Sequence, residues 1–171
     1  MGKIGTQIES LSWLLGGGFG TALISFIGQN YGAGKWERIH HGTRIATVVM
    51  AVWGSFITLL FIFFGKNIFT LFLAAPALIS LGGRYLFIFA FAQLFMNLEA
   101  VASGAFKGTG RTIPPSLASI VSNAATPILA FTLSRTSLGI SGVWLGATIA
   151  TVARGLWICV WYILTAKKSV R

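Results

Sequence analysis

The chain has 171 residues, 55% of them hydrophobic and only 9% charged, with 13 Lys and Arg against 3 Asp and Glu. Soluble domains carry roughly a quarter charged residues, so this composition excludes an ordinary soluble fold and points to an integral membrane protein. The formal charge of +10 makes no case for nucleic acid, because the basic residues fall between apolar runs, where they suit anionic lipid.

Five runs are long enough to span a bilayer, at 7–30, 43–64, 79–106, 113–134 and 140–165, each at or above the ~20 residues required. Lipid admits only helices or closed barrels, and runs without period-2 alternation predict helices, hence an all-α membrane protein. The short connections make neighbours in sequence antiparallel neighbours in space. The single Cys159 excludes a disulfide framework within the chain and a Cys-based zinc site.

The start, MGKIGTQIESLSWLLGGG, reaches its apolar run only after Glu9 and shows no cleavage pattern, so the first run is expected to span and not to act as a signal. Ser12, Gly16 and Gly20 recur at four-residue spacing, with Gly28 in the same register, and predict a close-packing face. The helix ends in IGQNYGAGKWERIHHG. Its glycines are not a phosphate loop, because no strand precedes them and no Lys-Ser/Thr follows. A turn into an interfacial loop is expected, with Trp36 at headgroup level. His40 and His41 are adjacent, a poor spacing for two metal ligands on one face, and are expected among solvent or headgroups.

The second run is almost purely apolar, a lipid-facing or scaffold element, and GKNIFTLFLAAP after it is expected to lie along the outer interface. The third run leads into RYLFIFAFAQLFMNLEAVASGAFKGTGRT at 84–112, the most informative stretch. Helical geometry puts Ala92, Met96, Glu99, Ser103 and Phe106 on one face and Gln93, Asn97, Ala100, Gly104 and Gly108 on another. The second face is a small-residue ridge on which another helix can pack closely. A carboxylate at membrane depth is costly, so Glu99 is either a functional group or a satisfied, protonated core residue.

The fourth run opens with Pro114 and Pro115, tolerated in a first turn, whereas Pro127 is expected to kink it. Ser116, Ser119, Ser122, Asn123 and Thr126 give it a polar stripe facing protein or a water-filled cavity. In the fifth run, Arg154 is expected to snorkel or pair, with Glu99 as one partner. If five helices alternate, Lys35, Arg38, Arg44, Lys107, Arg111, Lys167, Lys168 and Arg171 share one side, against Lys3, Lys66, Arg84 and Arg135 on the other. The positive-inside rule then predicts an outside amino end and a cytoplasmic carboxyl end.

Three stretches resemble one family. GTALISFIGQNYGAGKWERIHHG resembles a helix and loop of the multidrug and toxic compound extrusion (MATE) transporters, through Ile27, Gly28, Gln29, Gly32, Ala33 and Gly34. LEAVASGAFKGTGRTIPP resembles a second family stretch through Glu99, Gly104, Lys107, Gly108, Gly110, Thr112 and Pro115, and GVWLGATIATVARG resembles the family's closing helix with its Arg. The resemblance implies a two-lobed transporter of twelve helices, of which residues 1–171 form the last five helices of the second lobe. The first lobe and one helix are then expected upstream or in a partner chain.

That resemblance implies export of cationic, amphipathic small molecules across the cell (plasma or inner) membrane, coupled to entry of H+ or Na+ without an organic cofactor. Glu99 is the candidate coupling or substrate group, with Asn97, Gln93 and Ser103 as cavity neighbours and Arg154 at similar depth. Many relatives carry an Asp one turn earlier, where Met96 stands here. Two alternatives remain, a non-transporting remnant or accessory membrane protein and a lipid-linked oligosaccharide flippase. The flippase is expected to carry several basic residues at depth, where this chain offers Arg154. An enzyme is not expected, since the spans offer no acid–base pair, metal site or activated nucleophile.

Overall fold

A computed structural model describes residues 2–166, with side chains from 4 to 165. The Lys3 side chain and Lys167, Lys168 and Arg171, which entered the charge comparison, lie outside the described residues. Five helices follow in order: α1 (Gly2–Gly32), α2 (Trp36–Thr70), α3 (Pro76–Gly108), α4 (Ile113–Ser134) and α5 (Ile140–Ala166). All five are long and apolar enough to cross a membrane, and their outward surface fits lipid. Leu11, Val52, Phe63 and Ile128 are each more than 60% exposed, a distribution that would aggregate in water.

All five expected spans are present, but α2 corrects the sequence reading at both ends. With 35 residues it is ~52 Å long, well beyond the ~30 Å of bilayer hydrocarbon. WERIHHG is therefore the first turns of a helix and not a loop, and Gly65–Thr70 continue it, leaving only 71–75 as the connection. The ends stay helical because they are packed: Ile39 and Thr43 are buried at one end and Phe69 is fully buried at the other. His40 is accordingly half-buried, facing Tyr31, Phe106 and Tyr162, while His41 is exposed.

α3 is the hub. α1, α2 and α5 pack along it and α4 touches it at one end, whereas α1 and α5 do not pack on one another. α1 and α3 run parallel on the expected small-residue faces. A Cβ on Gly104 would lie 2.8 Å from the Gly20 carbonyl oxygen, and one on Gly20 would lie 3.1 Å from that of Ala100. The two backbones approach closely only because both side chains are hydrogen atoms. Gly34 and Gly110 have φ of +67° and +76°, the left-handed conformation that turns α1 into α2 and α3 into α4.

α4 lies mainly on α5. It remains helical through Pro127 to Ser134. Of its expected polar stripe only Ser122 is buried, and its hydroxyl donates to the Ala150 carbonyl of α5 at 3.2 Å. Thr126 bonds back to its own helix at the Ser122 carbonyl, and Ser116 and Asn123 are exposed. Within the described residues the stripe makes one interhelical bond, from Ser122 to α5.

Candidate functional site at the α1–α3–α5 groove

Because α1 and α5 flank α3 without touching, a groove opens over one face of α3. Met96, Asn97 and Ala100 form its floor with Glu99, while Trp13, Gly16 and Gly17 of α1 and Arg154 of α5 form its sides, around an opening of ≈ 330 Å³. Gly16 and Gly17 leave the α1 side open. A Cβ on Gly16 would sit 2.6 Å from the Asn97 Oδ1.

Arg154 and Glu99 form an ion pair here. The Arg154 Nε donates to Glu99 Oε2 at 2.9 Å, and its NH2 lies 2.9 Å from the same oxygen. Both contacts converge on Oε2, so Oε1 stays outside the pair. The two side chains are 21% and 17% exposed, enough for contact with the groove and too little for full solvation. Burial of a charge is tolerated when a geometrically good partner compensates it. Glu99 is therefore not an isolated acid but one half of a pair.

Of the expected site residues, Glu99, Asn97 and Arg154 come together. Gln93 does not line the groove. It is 1% exposed and its Oε1 accepts the Ser12 hydroxyl of α1 at 2.8 Å. Ser103 is half-buried and lies outside the groove lining. The motif residues are mostly structural: Gly104 and Gly108 seat α3 on α1, Gly34 and Gly110 turn the chain, and Pro115 is buried in the first turn of α4. Gln29, Gly32, Lys107 and Thr112 sit at or near helix ends, where Gln29, Lys107 and Thr112 are exposed and Gly28 faces the Gly108 carbonyl. Among the described residues, no group of three His, Cys, Asp or Glu is placed to hold a metal.

Sequence reasoning missed Trp13 and Glu9. Trp13 forms part of the groove. Glu9 shares a helical face with Ser12 and Gly16 and lies beside Tyr85 of α3. The signal was present: an acid in register with a small-residue packing face points at another helix and not at lipid.

The family model MatE matches residues 2–132. The chain is 25% identical over 146 residues to a Thermotoga maritima protein named "Probable multidrug resistance protein NorM", covering 84% of this chain and 32% of that protein. It is 26% identical over 165 residues to the Bacillus subtilis "Probable multidrug resistance protein YoeA", covering 95% of this chain and 36% of the relative. A human relative, "Multidrug and toxin extrusion protein 1", is 21% identical over 148 residues, covering 85% and 26%. The fold matches a solved inward-facing multidrug resistance MATE family transporter of the MOP superfamily with a TM-score of 0.76 at 20% identity, over 96% of this chain and 38% of that one. The chain thus spans about a third of the length of these relatives.

Proposed function

Since this chain belongs to the MatE family, we propose that it supplies five helices of the second lobe of a multidrug efflux transporter, exchanging cationic amphipathic compounds for H+ or Na+. The rest of that transporter is carried by further polypeptide, whether continuous with this chain or separate. The observation that carries the reading is the Glu99–Arg154 pair at the edge of an open groove. A cation entering the groove meets Oε1 of a carboxylate whose other oxygen is already held, so it can be bound without stripping Arg154 of its partner. Driving ion and drug then compete for one negative group, and occupancy by one disfavours the other. Trp13 and Met96 supply the polarisable, apolar surface for an organic cation.

Orientation follows the basic residues. The connections at 33–35 and 109–112 carry Lys35 and Arg111 and lie on the proposed cytoplasmic side. The membrane is the cell membrane, with the amino end outside.

The deciding experiment is ethidium efflux from an efflux-deficient bacterium. It compares this chain alone, the chain joined to or co-expressed with the remaining helices of a MatE transporter, and that assembly carrying Glu99→Gln. Pumping by the assembly that is lost in Glu99→Gln supports the reading. Pumping that survives Glu99→Gln overturns the role of Glu99, and pumping by the chain alone overturns the one-lobe proposal. No pumping by the assembly overturns the efflux reading and leaves an accessory, non-transporting role.

A further inference from the structure

α2 and α5, like α1 and α5, do not pack backbone to backbone, and a second groove runs along α3 between them. None of the residues around Glu99 lines it, and its two parts meet at Phe87. One part is polar. At the end of the bundle that carries the 71–75 connection, α2 and α3 border an opening of ≈ 550 Å³ with Lys66, Asn67, Ser80 and Arg84 around it. The other part is apolar, an opening of ≈ 440 Å³ between α3 and α5 walled by Phe91, Leu145, Ile149, Val152 and Leu156. The Thr148 hydroxyl on that wall is already spent, donating to the Trp144 carbonyl of its own helix at 2.9 Å.

Sequence and packing fix where the cations stand. α2 carries no charge between Arg44 and Lys66, and α3 none between Arg84 and Glu99, so both basic residues stand where an apolar run meets the headgroups. The Lys66 stem rests on Gly83, where a Cβ would strike it, and this brings both cations to one opening. α2 and α3 are antiparallel. Phe63, three residues before Lys66, and Phe87, three after Arg84, therefore both lie one turn deeper in the membrane. Phe87 meets Phe91 edge to face a further turn down, with ring centroids 5.7 Å apart. Among the described residues no acid borders the opening, and the ion pair they form joins Arg154 to Glu99 elsewhere.

We propose that this groove seats one anionic phospholipid, its phosphate between Lys66 and Arg84 and one acyl chain running from Phe87 along α3 and α5. From Leu145 to Leu156 the apolar wall follows ~16 Å of helix, about the depth of one leaflet, which is half of the ~30 Å hydrocarbon core. Charge selects the lipid. Two cations with no acid beside them suit a net-negative headgroup, whereas a choline headgroup brings a third positive charge into the same opening. The apolar continuation selects a lipid over free phosphate, which would occupy only the polar part.

The test is made on the purified full chain and requires no transport, so it stands apart from the efflux reading. The chain is reconstituted in equal amounts of phosphatidylglycerol and phosphatidylcholine, and the lipid retained after transfer to detergent is counted by native mass spectrometry. The expected result is an excess of retained phosphatidylglycerol of roughly 30-fold, about fivefold for each cation, falling to parity in Lys66→Gln/Arg84→Gln. Gln keeps the methylenes that rest on Gly83, so the variant removes charge and not packing. Arg135→Gln takes away a cation at the same end that lies over the Phe131 ring, 4.4 Å from its centroid, and should retain lipid like the unsubstituted chain. A selectivity that survives the double substitution, or is lost equally in Arg135→Gln, overturns the site. Equal retention of the two lipids by the unsubstituted chain overturns it without any variant. Thermal unfolding in detergent is the second arm, where phosphatidylglycerol should raise the midpoint and inorganic phosphate at the same concentration should not. An equal rise with inorganic phosphate identifies an ion site and overturns the lipid. Retention of neither lipid also overturns it and leaves the groove to another polypeptide.

Discussion

Glu99 and Arg154, 55 residues apart, meet at 2.9 Å across the α3–α5 contact, with two of the three guanidinium nitrogens on one carboxylate oxygen. Neither residue is needed for helix formation, and each makes the other tolerable at membrane depth. Removing one partner strands a charge at a cost of about 3–5 kcal/mol for full burial. Exposures of 17% and 21% place this pair toward the lower end. Glu99→Gln and Arg154→Gln should each lower the midpoint of thermal unfolding in detergent, while the double substitution recovers most of the loss. Strictly additive losses would show that the pair is not energetically coupled.

The contact of α1 with α3 depends on absent side chains. Gly104→Leu forces the Gly20 carbonyl away from α3, because even a Cβ there stands 2.8 Å from that oxygen. A loss of about 1–3 kcal/mol is expected from such overpacking. Gly18 has nothing within 4 Å of its Cβ position, so Gly18→Ala should be neutral or stabilising by up to about 1 kcal/mol. Parallel unfolding curves separate the two, and equal effects would place the close approach elsewhere.

Ser12 provides the hydrogen bond received by Gln93 Oε1. Ser12→Ala leaves a second unpaired polar atom on a side chain that already has one, at about 1–3 kcal/mol. Ser12→Ala combined with Gln93→Leu removes both partners and should be closer to wild type in stability than Ser12→Ala alone. The same comparison of melting curves decides it.

Topology can be read by thiol labelling. In a Cys159→Ser background, Ser137→Cys in the α4–α5 connection should react with a membrane-impermeant maleimide on intact cells. Thr109→Cys, after α3, should react only once the membrane is opened. The reverse pattern would invert the proposed orientation.

The sequence carried the spans because apolar length is a strong signal, and it carried the α1–α3 interface because glycine at four-residue spacing has few other uses in a membrane. It lost the ends of α2. Trp36, Glu37, Arg38 and His40 look like a loop to any hydropathy argument, yet Ile39 and Thr43 are buried among them and keep the helix wound. Glu99 and Arg154 were both singled out, and their pairing was one option among several, since nothing local fixes the rotation of α5 about its axis. Gln93 looked like a cavity residue and proved to be a core residue. The face it shares with Asn97 was read correctly, but the depth at which α1 covers that face depends on Ser12, 81 residues away.

That separation also governs how the molecule is made. α1 and α3 run parallel, so they can join only after α2 has crossed the bilayer and α3 has followed it. At about 5–20 residues per second, the 81 residues from Ser12 to Gln93 take roughly 4–16 s to synthesise. Throughout that interval α1 presents Glu9 and Ser12 to its surroundings without the side chains that will receive them. The first helix therefore has every physical reason to linger at the insertion machinery until its third-helix mate emerges. Any slowing of translation between the two lengthens the period during which a quality-control protease can find it.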